Sequence, residues 1–149
     1  MHGWRAFILR FFGARIGKSN HIYPSCKIWS PKLLYTEDAV TIGPKAVIYN
    51  PGGVSLGHHT VISQNAYICG ATHDFNKIEF DYIKKEIFIE SFVWIAAYAI
   101  VLPGVICREG SILGAGAVTS RNLDAWSVYA GNPAKYVKAR NNFLVNQGR

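Results

Sequence analysis

The chain has 149 residues, half of them hydrophobic, 13% aromatic and 17% charged, which is one domain's worth of chain and too apolar for an intrinsically disordered one. Sixteen Lys and Arg against nine Asp and Glu leave a net charge of +7, and the excess sits at the ends: residues 1–36 hold six basic residues and no acid, residues 125–149 four and none. Basic ends on a near-neutral middle suit anionic partners at the ends and exclude one continuous nucleic-acid groove.

Residues 1–15 read as a short amphipathic helix. Trp4, Ile8, Phe11 and Phe12 fall on one side, and Gly13 is placed as a stop. Arg5, Arg10 and Arg15 face away or snorkel. The expected role is a cap over the open end of the repeat region that begins at Ile16; a peripheral membrane contact is the alternative.

From Ile16 onward the chain repeats every six residues. Ile16, Ile22 and Ile28 are six apart, as are Ile42, Ile48 and Val54, and Leu56, Ile62 and Ile68. The register slips by two after Ile28 and after Val54, which predicts short corner insertions. From Ile89 the hexads are cleaner. Their first positions are Ile89, Ile95, Val101, Cys107 and Leu113. The fifth are Val93, Ala99, Val105, Ser111 and Ala117, all small or β-branched, and glycine recurs at the fourth as Gly104, Gly110 and Gly116. A period of six fits neither a helix nor a meander; it fits a short strand plus a tight corner, stacked coil on coil. The first-position residue then points inward. Residues 91–107 carry no charge, but Pro103, Gly104 and the six-residue period argue against a membrane helix.

Residues 69–88 break the hexads and predict a protruding loop, which contains His73-Asp74 and Lys84-Lys85. After the last hexad, residues 124–149 read as an end cap. There Asn132 is placed to cap a helix beginning at Pro133, with Lys135, Lys138 and Arg140 beyond it as partners for an anion. Cys26, Cys69 and Cys107 form no CxxC pair, no signal peptide with a cleavage site is seen, and no Cys/His cluster has zinc spacing. The expectation is a reducing, cytoplasmic compartment, thiols used as apolar filler and no metal.

The stretches IYPS, THD, VWIAAYAIVLPGV, LGAGAV and YAGNPAKYVKAR occur in that order between Ile22 and Arg140. With the hexads, they resemble the hexapeptide-repeat acyltransferases, and within them the O-acetyltransferases of colanic acid and exopolysaccharide biosynthesis. The maltose, galactoside and nodulation acetyltransferases are more distantly similar. The resemblance implies an all-β fold, a left-handed parallel β-helix with a short N-terminal helix and a C-terminal capping segment. It implies one acyltransferase domain over 1–149, with the coils at 16–123, and a homotrimer whose active sites lie between subunits. The expected reaction is acetyl transfer from acetyl-CoA to a sugar hydroxyl of a bacterial surface polysaccharide or its precursor. The expected location is cytoplasmic, with attachment at the inner face of the membrane as the alternative.

The residues fit that chemistry. A hydroxyl is a poor nucleophile at neutral pH, and an imidazole, with an ordinary pKa near 6.5, is suited to take its proton. Of the histidines, His73 alone sits in the long loop and matches the family's catalytic position. Galactoside-type relatives have Pro after this His; here Asp74 stands there and could orient the acceptor or tune His73. The resemblance places Trp94, Ala97 and Ala115 along the acetyl–pantetheine path, Ser120 and Arg121 where relatives commonly carry Thr-Lys, and Lys135 near the CoA phosphates or adenine; Arg121 and Lys135 suit the phosphates of a polyanion, with a solvated surface charge as the alternative for each. Trp94 could equally be packed inside its hexad. Asn50 and Tyr67 are candidates for the acceptor side. The alternatives are N-acetylation of an amino sugar and a β-helix scaffold without catalysis.

Overall fold

Strands of two to four residues wind the chain into a coil with three faces. The computed structural model describes residues 2–145; Met1 and residues 146–149 of the expected end segments lie outside the described residues. On the first face Arg15–Ile16, Leu34–Thr36, Val54–Leu56, Ile87–Ile89 and Ile106–Cys107 stack in parallel. On the second, His21–Ile22, Thr41–Ile42, Val61–Ile62, Trp94–Ile95, Ile112–Leu113 and Ser127–Ala130 do so. On the third, Lys27–Ile28, Val47–Tyr49, Tyr67–Cys69, Ile100–Val101 and Val118–Thr119 complete each turn. Five full coils result, with a partial sixth begun at Leu123, which bridges to Cys107.

The repeat explains this winding. Ile22, Ile42, Ile62, Ile95 and Leu113 form a vertical stack without solvent contact, and Ile48, Ile68 and Val101 form another. Each inward residue is covered by its equivalents above and below, so burial depends on stacking. The fifth positions Val93, Ala99, Val105, Ser111 and Ala117 are buried at the corners. The fourth positions turn each corner with positive φ: Phe92 (59°), Tyr98 (59°), Gly104 (80°), Gly110 (67°) and Gly116 (67°). The two register slips are absorbed by three-residue strands on the first face. There Leu34 and Thr36, then Val54 and Leu56, both point inward.

Buried polar groups join coils. Asn20 donates to Thr36 Oγ1 at 2.6 Å and accepts from the Val40 amide at 2.7 Å. Thr60 donates to the Glu90 carbonyl at 2.7 Å.

Three boundaries differ from expectation. The interruption is a hairpin, Ala71–His73 antiparallel to Tyr82–Lys84, and not a loop over 69–88. Cys69 pairs with Tyr49 and Ile87 with Val54, so both ends of the expected loop belong to the coil.

At the C-terminus no helix starts at Pro133. Lys135–Ala139 returns antiparallel along Ser127–Ala130, with the Asn132–Pro133 peptide bond cis. The local Asn-Pro signal loses to the last coil's edge, whose unpaired amides and carbonyls need a partner strand. Arg140 fastens this cap, donating to the carbonyls of Phe92 (2.7 Å) and Gly110 (3.0 Å) while lying over Trp126.

The third difference is the face of the N-terminal helix, His2–Phe11. It covers the first coil with Ala6 and Leu9, while Trp4, Phe11 and Phe12 point outward and Ile8 is half-buried. Arg5 and Arg10 do not face away. Arg5 donates to the Cys26 carbonyl at 2.7 Å, and Arg10 Nη2 to those of Ile16 and Gly17, each at 2.9 Å. The first coil has carbonyls with no coil beneath them, and guanidinium groups satisfy several at once.

This packing separates two glycines and three thiols. A Cβ on Gly110 would run into the Trp126 ring, whereas the space beside Gly116 is open. Both positions have a φ of 67°. Gly116→Ala should lower unfolding stability by about 1 kcal/mol from backbone strain, and Gly110→Ala by about 3 kcal/mol or more; equal urea midpoints for the two variants would contradict this. Burial pushes the Cys107 thiol up to about 12, with Glu90 adding to it, and raises Cys26 despite the neighbouring Arg5. Thiols so held stay protonated and inert. A thiol reagent should therefore modify half-buried Cys69 in the native protein, and Cys26 and Cys107 only after unfolding.

Candidate functional site

The candidate residues fall into three groups on the coil. The first is the hairpin, which leaves the coil where the third face turns into the first. His73 ends its first strand, is exposed, and lies opposite Tyr82 in the antiparallel pair. Its ring stacks on Phe80, with centroids 4.5 Å apart and planes 9° from parallel, and tilts against Tyr82 at 5.5 Å. His73 Nδ1 is 2.8 Å from the Phe80 carbonyl oxygen. A carbonyl can only accept, so a neutral ring carries its proton on Nδ1 and presents Nε2 as a lone pair.

Phe80 reaches this position with a φ of 50°. Tyr82 in turn meets Tyr49 on the coil, hydroxyl to hydroxyl at 2.8 Å, which ties the hairpin to the third face. That hydrogen bond is the main cause that pushes the Tyr82 hydroxyl up to about 12.

Asp74 sits beside His73 in sequence but turns to its own loop. It accepts from the Asn76 amide at 3.2 Å and pairs with Lys77 at 3.7 Å. Tyr67 is half-buried on the outer side of the third face, next to Ile100, and burial raises its hydroxyl pKa. Asn50 is fully buried. Its side chain accepts from the Ser30 amide at 3.0 Å and donates to the Ser30 carbonyl at 2.9 Å. Both ends of that amide therefore serve coil stacking.

The second group lies on another edge, where the second face turns into the third. Trp94 is on the surface, 46% exposed, with its indole N–H donating to Ser63 Oγ at 2.9 Å. Packing inside the hexad is thereby excluded for it. Ala97 and Ala115 occupy the same corner one coil apart, linked by the Gly116 amide donating to the Ala97 carbonyl at 2.9 Å. The space beside Gly116 is open, while Tyr98 stands exposed on the same corner beside Ala97.

The third group lies at the far end of the third face. Ser120, Arg121 and Lys135 line a cleft of about 270 Å³ with Thr119 and Pro133. Thr119 Oγ1 shapes its rim, donating to the Arg121 carbonyl at 2.7 Å. The cleft brings two cations together with no carboxylate in its lining, which suits a polyanion. A wider groove, about 420 Å³, lies by Arg10, Tyr35, Glu37, Asp38 and His58. Its paired carboxylates make it a poorer place for a polyanion, and none of the candidate residues lines it.

The structure thus joins Ser120 with Arg121 and Lys135, and Ala97 with Ala115. His73 makes its ring contacts within its own hairpin. Phe80 and Tyr82, which contact His73, and Tyr49, which contacts Tyr82, are the neighbours that sequence reasoning missed. Their aromatic type is visible in the sequence, but the hairpin register that brings them to His73 is not. Among the described residues no group of three or more His, Cys, Asp or Glu side chains is placed to hold a metal ion.

No protein-family model matches the chain. It is 38% identical over 140 residues to an Escherichia coli (strain K12) protein provisionally named a colanic acid biosynthesis acetyltransferase, WcaF; the match spans 94% of this chain and 77% of that one. Among solved structures, a hexapeptide-repeat acetyltransferase from Vibrio cholerae, complexed with acetyl coenzyme A, superposes with a TM-score of 0.88 at 21% identity, covering 95% of this chain and 79% of that one. A maltose O-acetyltransferase from Clostridium difficile superposes with a TM-score of 0.86 at 18% identity, covering 95% and 77%. The two solved structures share the fold, and the WcaF match carries the kinship: the chain belongs to the hexapeptide-repeat acetyltransferases.

Proposed function

We propose that the protein transfers the acetyl group of acetyl-CoA to a hydroxyl of a sugar in a bacterial surface polysaccharide or its precursor, with His73 as the general base. The observation that carries this reading is the His73 Nδ1 contact with the Phe80 carbonyl, which leaves Nε2 free on an exposed, stacked ring. The kinship with a protein named for colanic acid biosynthesis supports the choice of acceptor class.

In the proposed reaction the sugar oxygen attacks the thioester carbonyl carbon while His73 Nε2 takes the hydroxyl proton. The C–S bond then breaks, and the imidazolium returns the proton to the departing thiolate. The products are the O-acetyl sugar and CoA. Ser120, Arg121 and Lys135 hold the phosphates, and Trp94, Ala97 and Ala115 border the pantetheine arm. Tyr67, Tyr82 and Asp74 lie on the acceptor side. Asn50 is fully buried with its amide directed at Ser30, so it is out of a ligand's reach.

A homotrimer fits this division. His73 leaves the coil at the third-to-first edge, and Ala97 and Ala115 lie at the second-to-third edge. A neighbouring subunit that sets its second-to-third edge beside this hairpin completes the site. A cytoplasmic location fits an enzyme that draws on acetyl-CoA. Among the described residues no helix is long and apolar enough to cross a membrane.

Thiol release from acetyl-CoA in the presence of candidate sugars tests the reading. His73→Ala should keep the fold and lose at least about 10²-fold in kcat; near-normal turnover would refute the assignment of the base. Arg121→Ala should raise KM for acetyl-CoA about tenfold with little change in kcat, because a phosphate contact binds ground and transition states alike. A kcat defect without a KM defect would move Arg121 out of the binding cleft.

A further inference from the structure

We infer that the N-terminal helix docks the protein on an anionic lipid surface through Trp4, Phe7, Phe11 and Phe12. The inference goes beyond the acetyltransferase reading and stands whether or not His73 is the base.

The fold does not need these aromatics. The helix touches the first-coil strands Arg15–Ile16 and His21–Ile22, and its covering face is Ala6 and Leu9. Arg5 and Arg10 hold the open carbonyls of that coil. Trp4, Phe7 and Phe11, at i, i+3 and i+7, lie on the opposite side of the helix. They are 69%, 59% and 78% exposed, and Phe12, just after the helix, is 62% exposed. Trp4 stacks on Phe7 with ring centroids 6.0 Å apart, Phe11 meets Phe12 edge-on at 5.5 Å, and Phe7 and Phe11, four residues apart, set the two pairs side by side along the helix. A run of four uncovered aromatics on a protein surface marks an interaction site.

Charge selects the occupant. At this end Arg5, Arg10, Arg15, Lys18, Lys27 and Lys32 outnumber the carboxylates of Glu37 and Asp38, which sit beside Gly17 and Lys18. Arg15, Lys18, Lys27 and Lys32 are exposed on or next to the first coil, around the helix. Aromatic rings at the headgroup level with cations beside them are what an anionic bilayer interface binds. A second copy of the same end would set cations against cations. The aromatic side faces away from the coil stack, so docking stands the solenoid with its first coil toward the lipid. In the proposed homotrimer, with parallel coil axes, three helices meet one surface and bind multivalently.

Sedimentation of the full chain with vesicles tests this. One set is phosphatidylcholine alone, the other phosphatidylcholine with phosphatidylglycerol. Wild type should bind the anionic vesicles and not the neutral ones, less so as salt rises. Phe7→Ser/Phe11→Ser should lower the partition coefficient at least about tenfold. Its unfolding midpoint, its mass by sedimentation and its acetyl-CoA binding should match wild type. Lys18→Glu/Lys32→Glu should weaken binding while leaving the aromatic face intact, which keeps the test decisive if the first variant folds poorly. Equal binding to both vesicle types, no binding by wild type, or binding unchanged in the variants would overturn the inference. So would a larger wild-type assembly that Phe7→Ser/Phe11→Ser dissociates, since that assigns the face to a second copy. Acetyl-CoA binding is read separately, so its failure counts against the proposed function alone.

Discussion

Each strand of this molecule has only a few residues, and none could persist without the coil above and the coil below it. Hydrogen bonds between successive coils and the stacking of Ile22, Ile42, Ile62, Ile95 and Leu113 are one constraint seen from two sides. Anything that shifts one coil uncovers two others. Extra residues are therefore admitted only where the inward register survives: two at a time within the three-residue strands Leu34–Thr36 and Val54–Leu56, and longer insertions at corners, where the chain already leaves the stack. The hairpin bearing His73 enters at such a corner, between Cys69 and Ile87, and the inward positions on either side keep their register.

The same constraint makes the two ends costly. A coil without a neighbour has unpaired carbonyls and amides, and both ends answer with arginines and a short covering element. Arg5 and Arg10 reach from the helix to Cys26, Ile16 and Gly17; Arg140 reaches from the terminal strand to Phe92 and Gly110. At the C-terminal end the cap also forms the cationic cleft of Arg121 and Lys135. The proposed polyanion site thus lies where the fold already requires a covering element. The rigid coil holds that cleft at a set height relative to the hairpin, and the proposed division between phosphate binding and proton transfer rests on this.

Much of this was legible in the sequence. The hexads from Ile89 to Val118 identify inward, corner and outward positions, and the structure has Ile95, Val101 and Leu113 inside as the period requires. The fourth-position glycines mark left-handed corners, though Phe92 and Tyr98 adopt the same φ with no such signal. What could not be read depended on non-local competition. Asn132-Pro133 looks like a helix start, but the strand edge of the last coil recruits Lys135–Ala139 instead. Trp4, Ile8, Phe11 and Phe12 look like the covering face because they share one side of the helix, yet Ala6 and Leu9 are the residues buried against the first coil. Asn50 looks available for a ligand until its hydrogen bonds to Ser30 are seen. His73 stands out in the sequence; the Phe80 carbonyl that sets its tautomer does not.

The central claim is that the cationic cleft binds the CoA phosphates while His73 acts on the acceptor. Calorimetric titration of acetyl-CoA into wild type, His73→Ala and Lys135→Ala tests it most directly. The account predicts micromolar binding by wild type, the same affinity in His73→Ala, and a roughly tenfold loss or more in Lys135→Ala, as expected for removing a charge-assisted contact. No binding by folded wild type, or a loss in His73→Ala with none in Lys135→Ala, would contradict it.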